Sequence, residues 1–238
     1  KGSLKMIIAI IPARGGSKRI KRKNIKDFCG TPMIARAIKT AINSEIFDEV
    51  IVSTDDEEIM RISEKFGATA PFKRPENISD DFTITSTVIK HALQKCYSNN
   101  NKIEAVCCIY PTSPFLIKQD LIKSFNMFKD GSWEYVFSST NFPSSIFRSF
   151  SFNSDSSIRM FDEENYKKRT QDLPEAYYDA AQFYWASHET WLNEKPIFTK
   201  RSTTLNLPRW RVIDIDTMED WENAEIFAPA IFNQIKEL

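Results

Sequence analysis

Ile7-Ile8-Ala9-Ile10-Ile11-Pro12-Ala13-Arg14-Gly15-Gly16-Ser17-Lys18-Arg19-Ile20-Lys21-Arg22-Lys23-Asn24 is the stretch from which the fold is read. Its first residues are apolar and mostly β-branched, the composition of a strand buried on both faces. At Pro12 the chemistry changes to two glycines, one serine and six basic residues before Asn24. Thr31-Pro32 then opens a helical pattern, Pro32 suiting a first turn. A buried strand feeding a glycine-containing basic loop and then a helix is a phosphate-binding arrangement. Glycine lets the backbone approach, amide N–H groups face the anion, and Lys or Arg offset its charge. The loop is not a Walker A sequence, because no Gly-Lys-Ser/Thr closes it, and Gly-x-Gly-x-x-Gly is absent. The plain alternative is a solvated basic turn.

Working outward, Met33, Ile34, Ala37, Ile38, Ala41 and Ile42 recur at helical spacing. Val50 to Thr54 reads as a short buried strand ending at Asp55-Asp56, and Ile59, Ile62 and Phe66 mark a helix that Gly67 closes. This β-α-β-α order predicts a parallel sheet with right-handed crossovers. Phe72 to Pro75 reads as extended, and Val88, Ile89, Ala92, Leu93 and Cys96 form a helical stripe. Ala105 to Tyr110 is a central strand, stopped by Pro111-Thr112-Ser113-Pro114. Open α/β sheets bind ligands at such strand ends. Leu121, Ile122, Phe125 and Phe128 mark the next helix, and Tyr135 to Ser138 the next strand.

Beyond that strand the βα period is lost. Strand-like pieces from Ile146 to Phe152 and a polar stretch from Asp162 to Asp172 read as an inserted β-rich arm, residues 140–178. Its aromatics Phe142, Phe147 and Phe150 pack either on a second subunit or on their own domain. Ala181 to Ala186 reads as a strand, Ser187 to Leu192 as a short helix, and Val212 to Thr217 as a strand ending in acids. Asp216 or Thr217 then caps a last helix bearing Trp221, Ala224 and Phe227.

The chain has 238 residues and no net charge, with 32 basic and 32 acidic side chains. Nucleic-acid binders are usually basic overall; here the positive charge is gathered in one loop, which fits a small anion. Cys29, Cys96, Cys107 and Cys108 show no metal-ligand spacing and read as the reduced thiols of a cytoplasmic protein. No apolar run reaches membrane-spanning length and no signal peptide is visible. Met6 is the expected natural start, so Lys1 to Lys5 are left out, and a single domain is expected over 6–238.

Asp214 and Asp216 alternate with Ile213 and Ile215. On a strand, residues two apart share a face, so both carboxylates would project together and suit Mg²⁺. Their plain alternative is helix capping. Arg74, before Pro75, reads as a phosphate contact or a surface charge. Thr83, Thr85, Ser86 and Thr87 cap a helix or touch a nucleoside. His91 and His188 are given no role.

Ala13-Arg14-Gly15-Gly16-Ser17-Lys18, Lys23-Asn24, Arg74-Pro75-Glu76, Pro111-Thr112-Ser113-Pro114 and Asp214-Ile215-Asp216-Thr217 follow the motif order of the sugar-acid cytidylyltransferases, which include the CMP-sialic acid synthetases. The resemblance runs from Met6 to about Glu225. Within the family it is nearest to the branch that activates pseudaminic acid, through Arg169-Thr170-Gln171-Asp172-Leu173, Tyr177 to Trp185, Leu207-Pro208-Arg209 and Asp220-Trp221.

The resemblance implies a Rossmann-like three-layer α/β/α nucleotidyltransferase domain with a mostly parallel mixed sheet and a dimerising arm. It implies attack of a nonulosonic acid's anomeric hydroxyl on the α-phosphate of CTP, with Mg²⁺ as cofactor and a homodimer as the assembly. Arg14, Lys23, Asp214 and Asp216 would be catalytic. Arg14, Gly15, Ser17, Lys18, Lys23, Asn24, Arg74 and Thr85 would hold CTP, and Asp214 and Asp216 the metal. Tyr110, Asp179, Gln182, Phe183 and Tyr184 would line the sugar site, with Arg169 and Gln171 near the sugar or the dimer interface.

The chain also departs from the pattern. Tyr110 replaces the Gln of sialic acid synthetases, the metal-ligand Asp of Kdo enzymes is missing from the same loop, Ala181 stands for a common Gly, and Tyr178 for an expected His. N-acetylneuraminic or legionaminic acid as substrate, a catalytically silent nucleotide-binding module, and a transferase using a nucleotide-sugar donor are the competing readings.

Overall fold

The computed structural model describes residues 5–97 and 103–236. Lys1 to Leu4 and the last two residues of the expected 6–238 domain lie outside the described residues. The chain forms β1 (Met6–Pro12), β2 (Asp27–Phe28), β3 (Thr31–Pro32), α1 (Met33–Asn43), β4 (Glu49–Ser53), α2 (Glu57–Lys65), α3 (Thr85–Tyr97) and β5 (Ile103–Ile109). There follow α4 (Lys118–Asp130), β6 (Tyr135–Asn141), β7 (Phe150–Phe152), β8 (Ile158–Met160), β9 (Tyr177–Ala186), α5 (His188–Leu192), β10 (Ser202–Asn206) and α6 (Met218–Lys236).

One six-stranded sheet runs β10-β6-β9-β5-β1-β4. β1 pairs in parallel with β4 and β5, and β10 with β6. β9 runs antiparallel between β5 and β6, which makes the sheet mixed, as expected. Alternate residues of β1 serve opposite faces. Ala9 and Ile11 pack with α1 and α4 side chains such as Ile38 and Leu121. Ile8 and Ile10 pack with Ile89 and Leu93 of α3 and Trp191 of α5. Helices therefore cover both faces.

From β1 the chain crosses over α1 to β4 on one side, then returns over α3 to β5 on the other. This reversal beside β1 is the kind of switch point that opens a crevice at the strands' carboxyl ends. A third apolar cluster seats α6: Trp221 meets Phe28 edge-on at 5.4 Å, and Phe28 meets Phe115 at 5.9 Å.

Three expectations change. Val212 to Thr217 is not a strand; it follows the buried Arg211–Asp120 ion pair, whose N–O distances are 2.5 and 2.7 Å, and is anchored by Ile215. The inward isoleucines survive, but the ladder does not. In the arm, β7 and β8 pair over three residues each and the two ends extend the β6–β9 ladder; the remainder includes short 3₁₀ turns at Ile146–Arg148, Glu163–Lys167 and Thr170–Asp172. Finally, β10 and the β2–β3 hairpin have no sequence signal. Ser202-Thr203-Thr204-Leu205-Asn206 holds a single apolar residue because it forms a half-exposed edge, and each hairpin strand has only two residues.

Candidate active site

A crevice of about 340 Å³ opens where β1 and β5 end. Of the residues expected for CTP, it brings together Arg14, Ser17, Lys18, Lys23, Asn24, Arg74 and Thr85, along with Tyr110 and Asp216. Asn24 is buried; its side-chain amide donates to Arg14 O at 2.9 Å and its carbonyl accepts from Ile34 N at 2.8 Å. It ties the two ends of the basic loop to the start of α1, so it is a brace for the loop.

Gly15 departs from expectation. Its N–H donates to Asp55 Oδ1 at 2.9 Å and so faces a carboxylate of the protein. A Cβ at this position would stand 2.7 Å from Asp56 Oδ2 and 2.9 Å from Asp56 Cβ. Asp56 cannot yield readily, because it caps α2 through Glu58 N and Ile59 N and pairs with Arg22. Glycine is needed here for the close approach of the loop to the end of β4.

The cations of the crevice are balanced by carboxylates. Arg14 and Lys18 both reach Asp81 at 2.5 Å, and their hydrogen bonds hold the Asp81 carboxyl below its usual range. Arg19 and Lys23 reach Asp216 at 3.0 and 3.5 Å, and Lys23 Nζ also donates to Ile215 O at 2.7 Å. Arg74 is buried, with Nε donating to Ser79 Oγ at 3.1 Å and Asp55 at 4.0 Å. Burial lowers its pKa most, with the nearby Arg14 adding to the effect and Asp55 opposing it.

On the proposed sugar side, Tyr110 and Thr85 share a 2.7 Å hydrogen bond between their hydroxyls. Tyr110 and Tyr184 rings lie 5.4 Å apart, and Tyr184 donates to Asp179 Oδ2 at 2.6 Å. Burial pushes the Tyr110 phenol up to about 12. The pairing of β6 with β9 slips between Phe137 and Ser139, forming a bulge at Ala180 to Gln182. Ala181 sits there at φ 49, in the region that favours glycine, and Ser138 Oγ accepts from Gln182 N and Phe183 N. Gln182 is buried and its Oε1 has no partner.

Phe183 corrects the sugar-site expectation. It is fully buried in the core with Ile11, Leu121 and Trp185, on the sheet face opposite Tyr184. Period-two alternation explains this: Phe183 and Tyr184 cannot face the same side. Arg169 and Gln171 lie in the exposed arm rather than around the crevice, Arg169 paired with Asp172 at 2.8 Å.

Asp216 is in the crevice wall, whereas Asp214 is exposed beside it. Partial burial, then the Asp216 charge, raise the Asp214 pKa, while Lys23 lowers it. The two carboxylates are thus close enough to repel each other. Among the described residues no group of three or more His, Cys, Asp or Glu is placed to hold a metal ion by itself. Two carboxylates fit Mg²⁺, which takes its other ligands from water and substrate phosphates. The same segment caps α6: Asp220 Oδ2 accepts from Thr217 N at 2.7 Å, and Asp220 N donates to Thr217 Oγ1 at 3.2 Å.

Sequence reasoning missed Asp55, Asp56 and Asp81. The first two stood at a predicted strand end, the signal available for a ligand-side position. No spacing rule marks Asp81, because its partners lie far away in the chain.

The cytidylyltransferase family model matches residues 8–237. The pseudaminic acid cytidylyltransferase of Campylobacter jejuni is 46% identical over 219 residues, covering 92% of this chain and 94% of that protein. The N-acylneuraminate cytidylyltransferase of Escherichia coli is 33% identical over 221 residues, covering 92% of this chain and 51% of that protein. Among solved structures, CMP:2-keto-3-deoxy-manno-octonic acid synthetase complexed with CTP superposes with a TM-score of 0.69 at 15% identity, covering 94% of this chain and 99% of that one. That likeness establishes a shared fold.

Proposed function

The chain belongs to the cytidylyltransferase family, and on that premise we propose that it couples CTP to pseudaminic acid, giving the CMP-sugar and pyrophosphate. One observation carries the reading: Arg14, Lys18, Lys23 and Arg74 converge with Asp216 in a crevice at a switch point of the sheet. The choice of acid is supported by the 46% identity to the Campylobacter jejuni enzyme against 33% to the N-acylneuraminate enzyme.

In this reading the triphosphate competes with Asp81 for Arg14 and Lys18, and Lys23 faces the phosphates from the end held by Ile215 O. Buried Arg74, fixed by Ser79, and Thr85 meet the nucleoside. The anomeric hydroxyl attacks the α-phosphorus in line and pyrophosphate leaves. The fixed cations stabilise the charge that grows on the phosphoryl oxygens and leaving group, and positioning supplies much of the remaining acceleration. Asp214 and Asp216 would hold Mg²⁺, which supplies further positive charge to the phosphates when bound.

A homodimer and a cytoplasmic setting complete the reading. The arm exposes Phe150, Phe152, Ile158, Phe161 and Tyr166, the four cysteines are free thiols, and no helix among the described residues is long and apolar enough to cross a membrane. Sedimentation as a monomer at micromolar concentration would remove the dimer.

The site is tested by Arg14→Ala and Asp216→Ala. Each should lower kcat/KM for CTP-dependent pyrophosphate release by about 10²–10³ and leave the circular dichroism spectrum unchanged. Full activity in both variants would show that the chemistry lies elsewhere.

A further inference from the structure

We propose that Asp179 takes up the proton released by the sugar's anomeric hydroxyl, through the phenols of Tyr110 and Tyr184. The proposal rests on the reaction given above.

The attacking hydroxyl must lose a proton, and the carboxylates around the crevice differ in their readiness to accept it. Asp81 is held by Arg14 and Lys18, Asp216 by Arg19 and Lys23, Asp56 by Arg22, and Asp55 lies 4.0 Å from Arg74. Each of these faces a cation, and Asp80 accepts from Thr83 Oγ1, Thr83 N and Phe82 N, hydrogen bonds that lower its pKa. Asp214 is reserved for the metal. Asp179, among the described residues, has no Lys, Arg or His nitrogen within 4.0 Å, and its two donors are neutral: Tyr184 Oη at 2.6 Å and Ala181 N at 2.8 Å. A half-buried carboxylate without a cation is an expensive feature in a structural element.

A route also exists. Tyr110 lines the crevice, its ring lies 5.4 Å from that of Tyr184, and Tyr184 Oη in turn donates to Asp179 Oδ2. Thr85 Oγ1, at 2.7 Å from Tyr110 Oη, fixes the crevice end of the chain.

The step balances. The O–Pα bond forms as the bond from Pα to pyrophosphate breaks. The hydroxyl proton passes to Tyr110 Oη, the Tyr110 proton to Tyr184 Oη, and the Tyr184 proton to Asp179 Oδ2. Both phenols end neutral and Asp179 ends as the neutral acid.

Asp179 faces Tyr184 on its own strand and Cys108 and Tyr110 from β5 and the loop after it, while Ser139, opposite it on β6, carries no charge. Burial raises its pKa, against the hydrogen bonds from Tyr184 and Ala181 N. Below that raised pKa Asp179 is already protonated, so kcat should fall on the acid side.

The test is kcat against pH for the full chain with CTP, Mg²⁺ and pseudaminic acid. Asp179→Asn should lower kcat by about 10²–10⁴, leave KM for CTP little changed, and abolish the acid limb. Tyr184→Phe retains the Asp179 bond to Ala181 N, and so the bulge, and should also lose the limb. Either variant keeping wild-type kcat and its acid limb would overturn the relay. A wild-type chain inert with every acid would instead overturn the reaction on which the relay rests.

Discussion

Gly15 shows how closely this site is fitted. Its amide is committed to Asp55, and its missing Cβ leaves room for an Asp56 side chain locked by Arg22 and the start of α2. Gly15→Ala must push the basic loop away from β4, at a cost of about 1–3 kcal/mol for an overpacked contact. The loop carries Arg14, so the loss should appear both as a lower melting temperature and as a raised KM for CTP. An unchanged KM would show that Arg14 is placed independently of Gly15. Arg14 and Asn24 were legible because they sit in the strand–loop–helix stretch. Asp81 was not, because an ion pair formed across the crevice leaves no local pattern.

Among the elements, the segment Val212 to Thr217 depends on a buried charge pair rather than on a ladder. Arg211 and Asp120 side chains are 3% and 6% exposed. Replacing one partner strands the other, which costs about 3–5 kcal/mol. Arg211→Met should therefore lower the urea midpoint strongly, and Asp214 and Asp216 should lose their register with Lys23. A midpoint equal to wild type would mean that Ile215 and Trp221 hold the segment alone. Here the sequence was legible only in part. The alternation of Asp and Ile correctly gave the two faces, yet it cannot distinguish a strand from an extended segment without a pairing partner. Phe183 was misplaced for a related reason: family likeness put it in the sugar site, while its alternation with Tyr184 on β9 sends it to the core. The central parallel strands β1, β4 and β5 were plain, because near-complete burial makes them continuous apolar runs. Edge strand β10 was hidden, because a half-exposed strand of Ser, Thr and Asn reads as loop.

Across the chain, the doubly wound topology, with β1 between β4 and β5, opens the crevice, and the basic loop, the Pro111 to Pro114 turn and the Asp214–Asp216 segment converge on it from distant parts of the sequence. The fold puts this crevice at the strands' carboxyl ends, where open α/β sheets bind ligands, and in the proposed reading the cations lining it hold the triphosphate. The most direct test is pyrophosphate release with CTP and Mg²⁺ against pseudaminic, legionaminic and N-acetylneuraminic acids in parallel. The account predicts rapid release with pseudaminic acid and little with the other two. CTP binding with no release from any acid would contradict it.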